Sequence, residues 1–218
     1  MIPLPQLYNR LLSHYGPQNW WPSSTPFEMM IGAILTQNTS WTRVEAALAR
    51  LGRQNFSPEA ILAMPREELE EAIRTSGYHR QKAGYLQNLA EWVVQSGGFS
   101  KLAQMEDEAL RSALLKQKGV GYETAYSILL YAFNRPYFVI VAYTRRMLGR
   151  MGYPIPEGYE EFRLWFESRI PRNADLYNDF HAQIVIHSKT LCTAKPQCEN
   201  CFLAENCQNC HKKSVADE

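Results

Sequence analysis

The sequence predicts an all-α fold. Apolar residues recur at helical spacing almost throughout, strand-like alternation is hard to find, and glycine and proline interrupt the pattern at short intervals. A chain so patterned reads as about ten short helices joined by tight turns. With 218 residues, 45% of them hydrophobic and 12% aromatic, it can bury a real core in one or two lobes.

Pro26-Phe27-Glu28 opens the first clear helix, whose apolar positions include Phe27, Met30, Ile31, Ile34 and Leu35. Val44, Ala47, Leu48 and Leu51 carry the period onto a second. Ser57-Pro58-Glu59 and Met64-Pro65-Arg66-Glu67 each read as a cap followed by proline in the first helical turn, before Ile61 and Leu69. Gly77, Gly97-Gly98, Gly119 and Gly121 punctuate the next stretch, while Asn134-Arg135-Pro136 and the run from Gly152 to Pro156 are the clearest breaks. Neither break is long enough for a flexible linker. A polar tail follows Cys210.

Composition excludes some roles. No apolar run approaches the roughly 20 residues that span a bilayer; the longest, near Met29 to Leu35 and Ile128 to Phe133, have the length of core helices. No membrane role is expected. The 23 basic and 22 acidic residues leave a formal charge of +1, so nucleic-acid binding would have to come from local clustering.

Four cysteines crowd the C-terminal end, Cys192, Cys198, Cys201 and Cys207, spaced C-x5-C-x2-C-x5-C, with Cys210 beyond them and none earlier. Disulfides are disfavoured by the odd total of five and by a first segment, Met1-Ile2-Pro3-Leu4-Pro5-Gln6, without the basic and apolar regions of a secretory signal. A reducing, cytoplasmic compartment is expected. Zinc could use Cys198-x2-Cys201 and Cys207-x2-Cys210, although zinc ribbons and fingers usually put a longer segment between their ligand pairs. A four-iron cluster suits four closely spaced thiolates in one segment better, so a [4Fe-4S] cluster is the first expectation and zinc the alternative. Cys210 reads as a surplus free thiol in a fraying end.

Lys118-Gly119-Val120-Gly121 lies between two helical stretches. Its glycines permit a tight turn, expose backbone N–H groups and let another backbone approach the positive end of the following helix, which is a phosphate-binding device. Alone, Gly-x-Gly is better read as an ordinary helix–helix turn. Taken with Thr124-Ala125, the segment from Phe138 to Arg146 and the four cysteines, it resembles the endonuclease III branch of the helix-hairpin-helix (HhH-GPD) DNA glycosylases. Trp20-Trp21-Pro22, Phe27-Glu28, the run from Ile34 to Thr39, Ser76-Gly77-Tyr78, Gln81-Lys82-Ala83 and Phe180-His181 are similar to a bacterial subgroup related to 3-methyladenine glycosylases. The resemblance covers nearly the whole chain. It implies a six-helix barrel over residues 25–134 and a second helical domain from 1–24 and 135–218, closed by the cluster on the four cysteines. It also implies a monomer that binds duplex DNA with a damaged or flipped base across the groove between the domains, in the cytosol of a bacterium or archaeon.

Two departures bear on activity. The lysine that forms a Schiff base in the bifunctional lyases of the family is matched here by Glu123, which cannot form that imine, so base removal would be monofunctional. The aspartate that helps stabilise the developing oxocarbenium ion is matched by Val141, which offers neither charge nor hydrogen bond. The chain is therefore a natural variant that uses another group, a binding protein without catalysis, or an engineered form. Glu123, Tyr126 on the same helix and Tyr143 just past Val141 are the nearest substitutes; a dipole-satisfying glutamate and packing tyrosines are the plainer readings.

The resemblance also supplies DNA contacts. Gln37 and Asn38 occupy the family's wedge loop, where a polar amide can plug the gap left by a flipped base, against a plainer reading as helix-capping amides. Trp20, Trp21 and Trp41 are candidates to stack on the base, although tryptophans more often fill a core. Lys118, Gly119, Gly121, Thr144, Arg145 and Arg146 would meet phosphates. His181, His187 and Lys189 precede Cys192, and Lys195, between the first two cysteines, is a DNA contact or merely solvated. Nothing in the sequence specifies the lesion.

Overall fold

The computed structural model describes residues 1–211; the polar tail from residue 212 on lies outside the described residues. Among the described residues there is no strand, and short turns join a series of α-helices. They are α1 (Leu4–Tyr15), α2 (Pro26–Leu35), α3 (Trp41–Leu51), α4 (Pro58–Ala63), α5 (Arg66–Ala72), α6 (His79–Gln95), α7 (Phe99–Leu102), α8 (Asp107–Leu115), α9 (Tyr122–Phe133), α10 (Ala142–Met151), α11 (Tyr159–Glu167) and α12 (Ala174–Thr190). The chain falls into two compact units, Trp21–Arg135, and Met1–Trp20 with Pro136–Glu218.

In the unit Trp21–Arg135, α2 is buried from Met29 to Leu35 and α9 from Thr124 to Leu130, and the two pack on each other. Helices apolar all round must lie inside a core. The start of α2 is fixed as its sequence predicts: Pro26 fills the first helical position and Thr25 Oγ1 accepts from the Glu28 N–H at 3.0 Å. Ser57 caps α4 in the same way, its Oγ accepting from the Ala60 N–H at 3.1 Å. Pro65 departs from expectation. It is itself the N-cap residue of α5, with φ −54° and ψ 142°, and the helix begins at Arg66. Having no side-chain acceptor, Pro65 leaves Glu67 and Glu68 to meet the positive end of the helix.

In the other unit, α1 turns Leu4, Leu7 and Leu11 toward a core and packs on α12, as does α10. The segment from Pro136 to Val141 is extended without a pairing strand, so its backbone groups need other partners. The Phe138 N–H donates to the Glu167 carboxylate at 2.7 Å and the Ile140 N–H to the Tyr159 hydroxyl at 3.0 Å. Arg163, 6% exposed, holds Glu167 at 2.6 Å and Glu160 at 3.1 Å, and Phe138 stacks on Phe166 with centroids 3.9 Å apart. No helix among the described residues is long and apolar enough to cross a membrane.

Candidate functional site

Three loops of the unit Trp21–Arg135 are braced to one another. The ammonium of Lys82, 2% exposed, donates to the carbonyl of Leu35 at 2.8 Å and of Ser76 at 2.7 Å, so the turn after α2 and the turn before α6 hang from one cation. Burial lowers the Lys82 pKa to about 8. Gln37 Nε2 donates to the Gly119 carbonyl at 2.8 Å and to Thr124 Oγ1 at 2.9 Å, tying the first turn to the glycine hairpin. Gly119 has φ +89°, and a Cβ there would stand 2.2 Å from the Tyr85 ring. It is glycine for both reasons.

The expected wedge pair is thereby divided. Gln37 is a brace of the hairpin, whereas Asn38 sits exposed at the turn's tip with φ +53°. Sequence reasoning missed two neighbours. Lys82 was quoted only as part of a motif, and its burial has no sequence signal. Tyr78 is 67% exposed with φ +48°, an unusual combination for an aromatic side chain, and its place after Ser76-Gly77 was the available hint.

Gly121 is the N-cap of α9 at φ −89°, an ordinary conformation, and a Cβ there would meet nothing within 4 Å. The expectation that both glycines serve the turn thus holds for Gly119 alone. With glycine at the cap, α9 has no side-chain cap for its first-turn N–H groups. Lys118 is exposed beside them. Glu123 lies in that first turn with exposed surface, yet desolvation raises its carboxyl pKa, which marks crowded surroundings and not a sealed pocket. Tyr126 is fully buried, with its hydroxyl accepting from Arg111 Nε at 2.6 Å, so it is a core residue and is corrected from the catalytic set. Trp21 and Trp41 meet edge to face at 5.0 Å, with Tyr131 5.5 Å from Trp21 and Gly32 beneath its ring. Trp20 belongs to the other unit, where it lines a groove with Tyr8, Pro17, Asp175 and Asp179.

Val141 is the N-cap residue of α10, extended at φ −113° and ψ 169°. The buried Thr144 accepts from its N–H at 3.3 Å, half of a capping box whose return bond a hydrocarbon side chain cannot make. Arg145 and Arg146, expected at phosphates, instead brace this unit. Arg145 donates to the Pro156 carbonyl at 2.7 Å and the Glu157 carbonyl at 3.1 Å, and Arg146 to those of Cys192 at 3.0 Å and Ser188 at 2.9 Å. His181 and His187 are buried, and desolvation lowers both to about 4, so they are neutral near pH 7 and cannot be the basic contacts their position suggested. Lys195 is exposed in its loop.

The five cysteines line one cavity together with Met147, Arg150, His187 and Leu203, and none is in a disulfide. Cys210, expected in a fraying end, lies in a helical turn within this wall. Arg150 Nη1 stands 3.4 Å from Cys192 Sγ, and Asn209 Nδ2 3.8 Å from Cys198 Sγ. Among the described residues no three histidine, cysteine or acidic side chains are disposed to hold a metal ion. The donor set is nonetheless of the kind a thiolate-bound group uses: the five thiols are free and line one cavity, and N–H donors of Arg150 and Asn209 face the sulfurs of Cys192 and Cys198.

Residues 31–172 match the family model of the HhH-GPD superfamily base excision DNA repair proteins. The chain belongs to the HhH-GPD superfamily. Across 93% of this HhH-GPD chain and 94% of the relative, it is 42% identical to MJ1434 of Methanocaldococcus jannaschii, provisionally named a DNA repair glycosylase. It is 27% identical to the endonuclease III of Thermotoga maritima over 84% of this chain and 83% of that one. Among solved structures, a non-covalent endonuclease III–DNA complex superposes with a TM-score of 0.83, covering 97% of each chain at 24% identity, which speaks for the fold alone. The Helicobacter pylori 3-methyladenine DNA glycosylase MagIII, bound to 1,N6-ethenoadenine, gives 0.74 at 29% identity over 86% of this chain and 98% of that one.

Proposed function

We propose that this HhH-GPD protein recognises a damaged or mismatched base in duplex DNA, and that any base it removes leaves by hydrolysis alone, without β-lyase strand cleavage. The carrying observation is Glu123 in the first turn of α9, beside Gly119 and Gly121, where a lyase would need an amine. Duplex binding is supported by the braced loops and by the likeness to a 3-methyladenine DNA glycosylase solved with a modified base. Under this reading Lys118 and the N–H groups at Gly121 and the start of α9 meet a phosphate, while Asn38 and Tyr78 fill the gap in the stack. Trp21 and Trp41 supply the aromatic surface for the flipped base.

Without a carboxylate at position 141, hydrolysis is confined to bases that leave readily, such as cationic alkylated purines. The bare N-cap at Val141 favours a second reading, a non-catalytic binder of damaged DNA. Cys192, Cys198, Cys201 and Cys207 would hold a [4Fe-4S] cluster, whose contribution is to close the C-terminal chain and shape the loop carrying Lys195. The deciding test incubates duplexes bearing a panel of lesions with the natural chain, Val141→Asp and Glu123→Gln, followed by alkali. Breaks with the natural chain that Glu123→Gln abolishes establish hydrolysis through Glu123; breaks with Val141→Asp alone establish the binder.

A further inference from the structure

Helix α1 contains no acidic residue, and burying Leu4, Leu7 and Leu11 leaves Asn9, Arg10, Ser13 and His14 exposed. Ser13 stands one turn beyond Asn9 and His14 one turn beyond Arg10, so the four share one face. With Phe202 they line an open groove of about 400 Å³. Two of its walls are held in place. The His14 ring stacks on Phe202 with centroids 4.0 Å apart and planes 17° from parallel, and Phe202 meets the Tyr15 ring at 5.8 Å. The Arg10 guanidinium donates through Nη1 to Asn206 Oδ1, which fastens the cation at one edge. Its five N–H donors exceed what one amide oxygen can accept.

We propose that this groove grips a phosphodiester of the nucleic-acid backbone, with Arg10 as its charge and Asn9 and Ser13 as neutral donors. None of the described residues lining it carries a carboxylate, so a fixed cation there favours an anion. Glu205 is exposed in the turn beside Asn206 but does not line the groove. A planar guanidinium matches two phosphate oxygens, and a hydroxyl and an amide add hydrogen bonds without charge. His14 lies in the last turn of α1, where a cation also suits the negative helix end, so Arg10 carries the charge at the groove. Because the groove is open, a continuous backbone can pass through it, which an enclosed pocket for a free ion would forbid. The contact rests on the reading that the chain binds duplex DNA. It is blind to base identity and adds a grip in the unit that lacks Asn38, Tyr78 and Lys118.

The test measures binding of the full-length chain to a lesion duplex and to its undamaged counterpart by fluorescence anisotropy over a series of salt concentrations, for the natural chain, Arg10→Ala and Ser13→Asp. Arg10→Ala should weaken both duplexes by one common factor, roughly three- to tenfold, and reduce the slope of log K against log salt by about 1, with the preference for the lesion unchanged. Because Arg10→Ala also releases Asn206, Ser13→Asp supplies a second reading. Position 13 is exposed and its change keeps the Arg10 contact, so the unfolding midpoint should stay natural while repulsion weakens both duplexes alike. Natural affinity and slope in both folded variants overturns the site, as does a loss confined to the lesion duplex. Inorganic phosphate that shifts the NMR signals of Arg10, with duplex affinity unchanged in both variants, marks a free-phosphate site and overturns it too. No binding of either duplex by the natural chain would overturn the duplex reading itself and this contact with it.

Discussion

Single residues carry separable duties in the glycine hairpin. Gly119 is fixed by its positive φ and by the Tyr85 ring against it, so Gly119→Ala should lower stability by about 1–3 kcal/mol in urea unfolding. Gly121 faces open space in an ordinary conformation, so Gly121→Ala should leave the unfolding midpoint nearly unchanged while weakening duplex DNA binding, because a methyl group there intrudes where a phosphate would approach. The Gly-x-Gly spacing made the pair visible in the sequence; the difference between its members depends on a ring contributed by α6, which no local pattern encodes. Val141 offers the opposite case. As a bare N-cap it should accept aspartate, and Val141→Asp should raise stability by about 1 kcal/mol in thermal unfolding, since the new carboxylate can accept from the first turn of α10.

Whole elements depend on cations and histidines that the sequence disguises. Lys82 stands out in the sequence only as part of Gln81-Lys82-Ala83, yet it holds the turns after α2 and before α6 through two carbonyls. Lys82→Met should cost about 1–3 kcal/mol of stability, because both carbonyls lose a charged donor, and should weaken lesion binding further by loosening Asn38 and Tyr78. The helix starts at Thr25 and Ser57 were legible because a cap and a proline act locally, whereas the cap at Pro65 lacked the side chain that makes such a signal. On α12, His181 is buried with its pKa lowered to about 4. The unfolded chain, titrating near 6.5, binds the proton first, so the stability from neutral His181 is complete above that pH and is lost as pH falls toward 4. Urea unfolding should show about 2 kcal/mol less stability at pH 5 than at pH 7 from this residue, and His181→Asn should remove that share.

At the scale of the molecule, the all-helical fold and the HhH-GPD membership were both readable, the first from spacing and the second from the order of motifs along the chain. The site was less so. Arg145, Arg146, His181 and His187 look like DNA contacts in a string of letters, but backbone carbonyls and burial engage them inside one unit. Among the candidate DNA contacts, Asn38, Tyr78, Lys118 and Gly121 are exposed in one unit, and Lys189 and Lys195 are exposed in the other. With a formal charge of +1 there is no global field to add to them, so discrimination has to come from the base and its deformable surroundings. The central claim is lesion recognition without lyase chemistry. It is tested most directly by end-labelled duplexes, identical except for one alkylated or mismatched base, incubated with the natural chain and resolved on gels before and after alkali and after borohydride. Tighter binding to the lesion duplex, with no strand break before alkali and no covalent adduct with borohydride, is the predicted result. Equal affinity for the undamaged duplex, or a borohydride-trapped adduct, would contradict it.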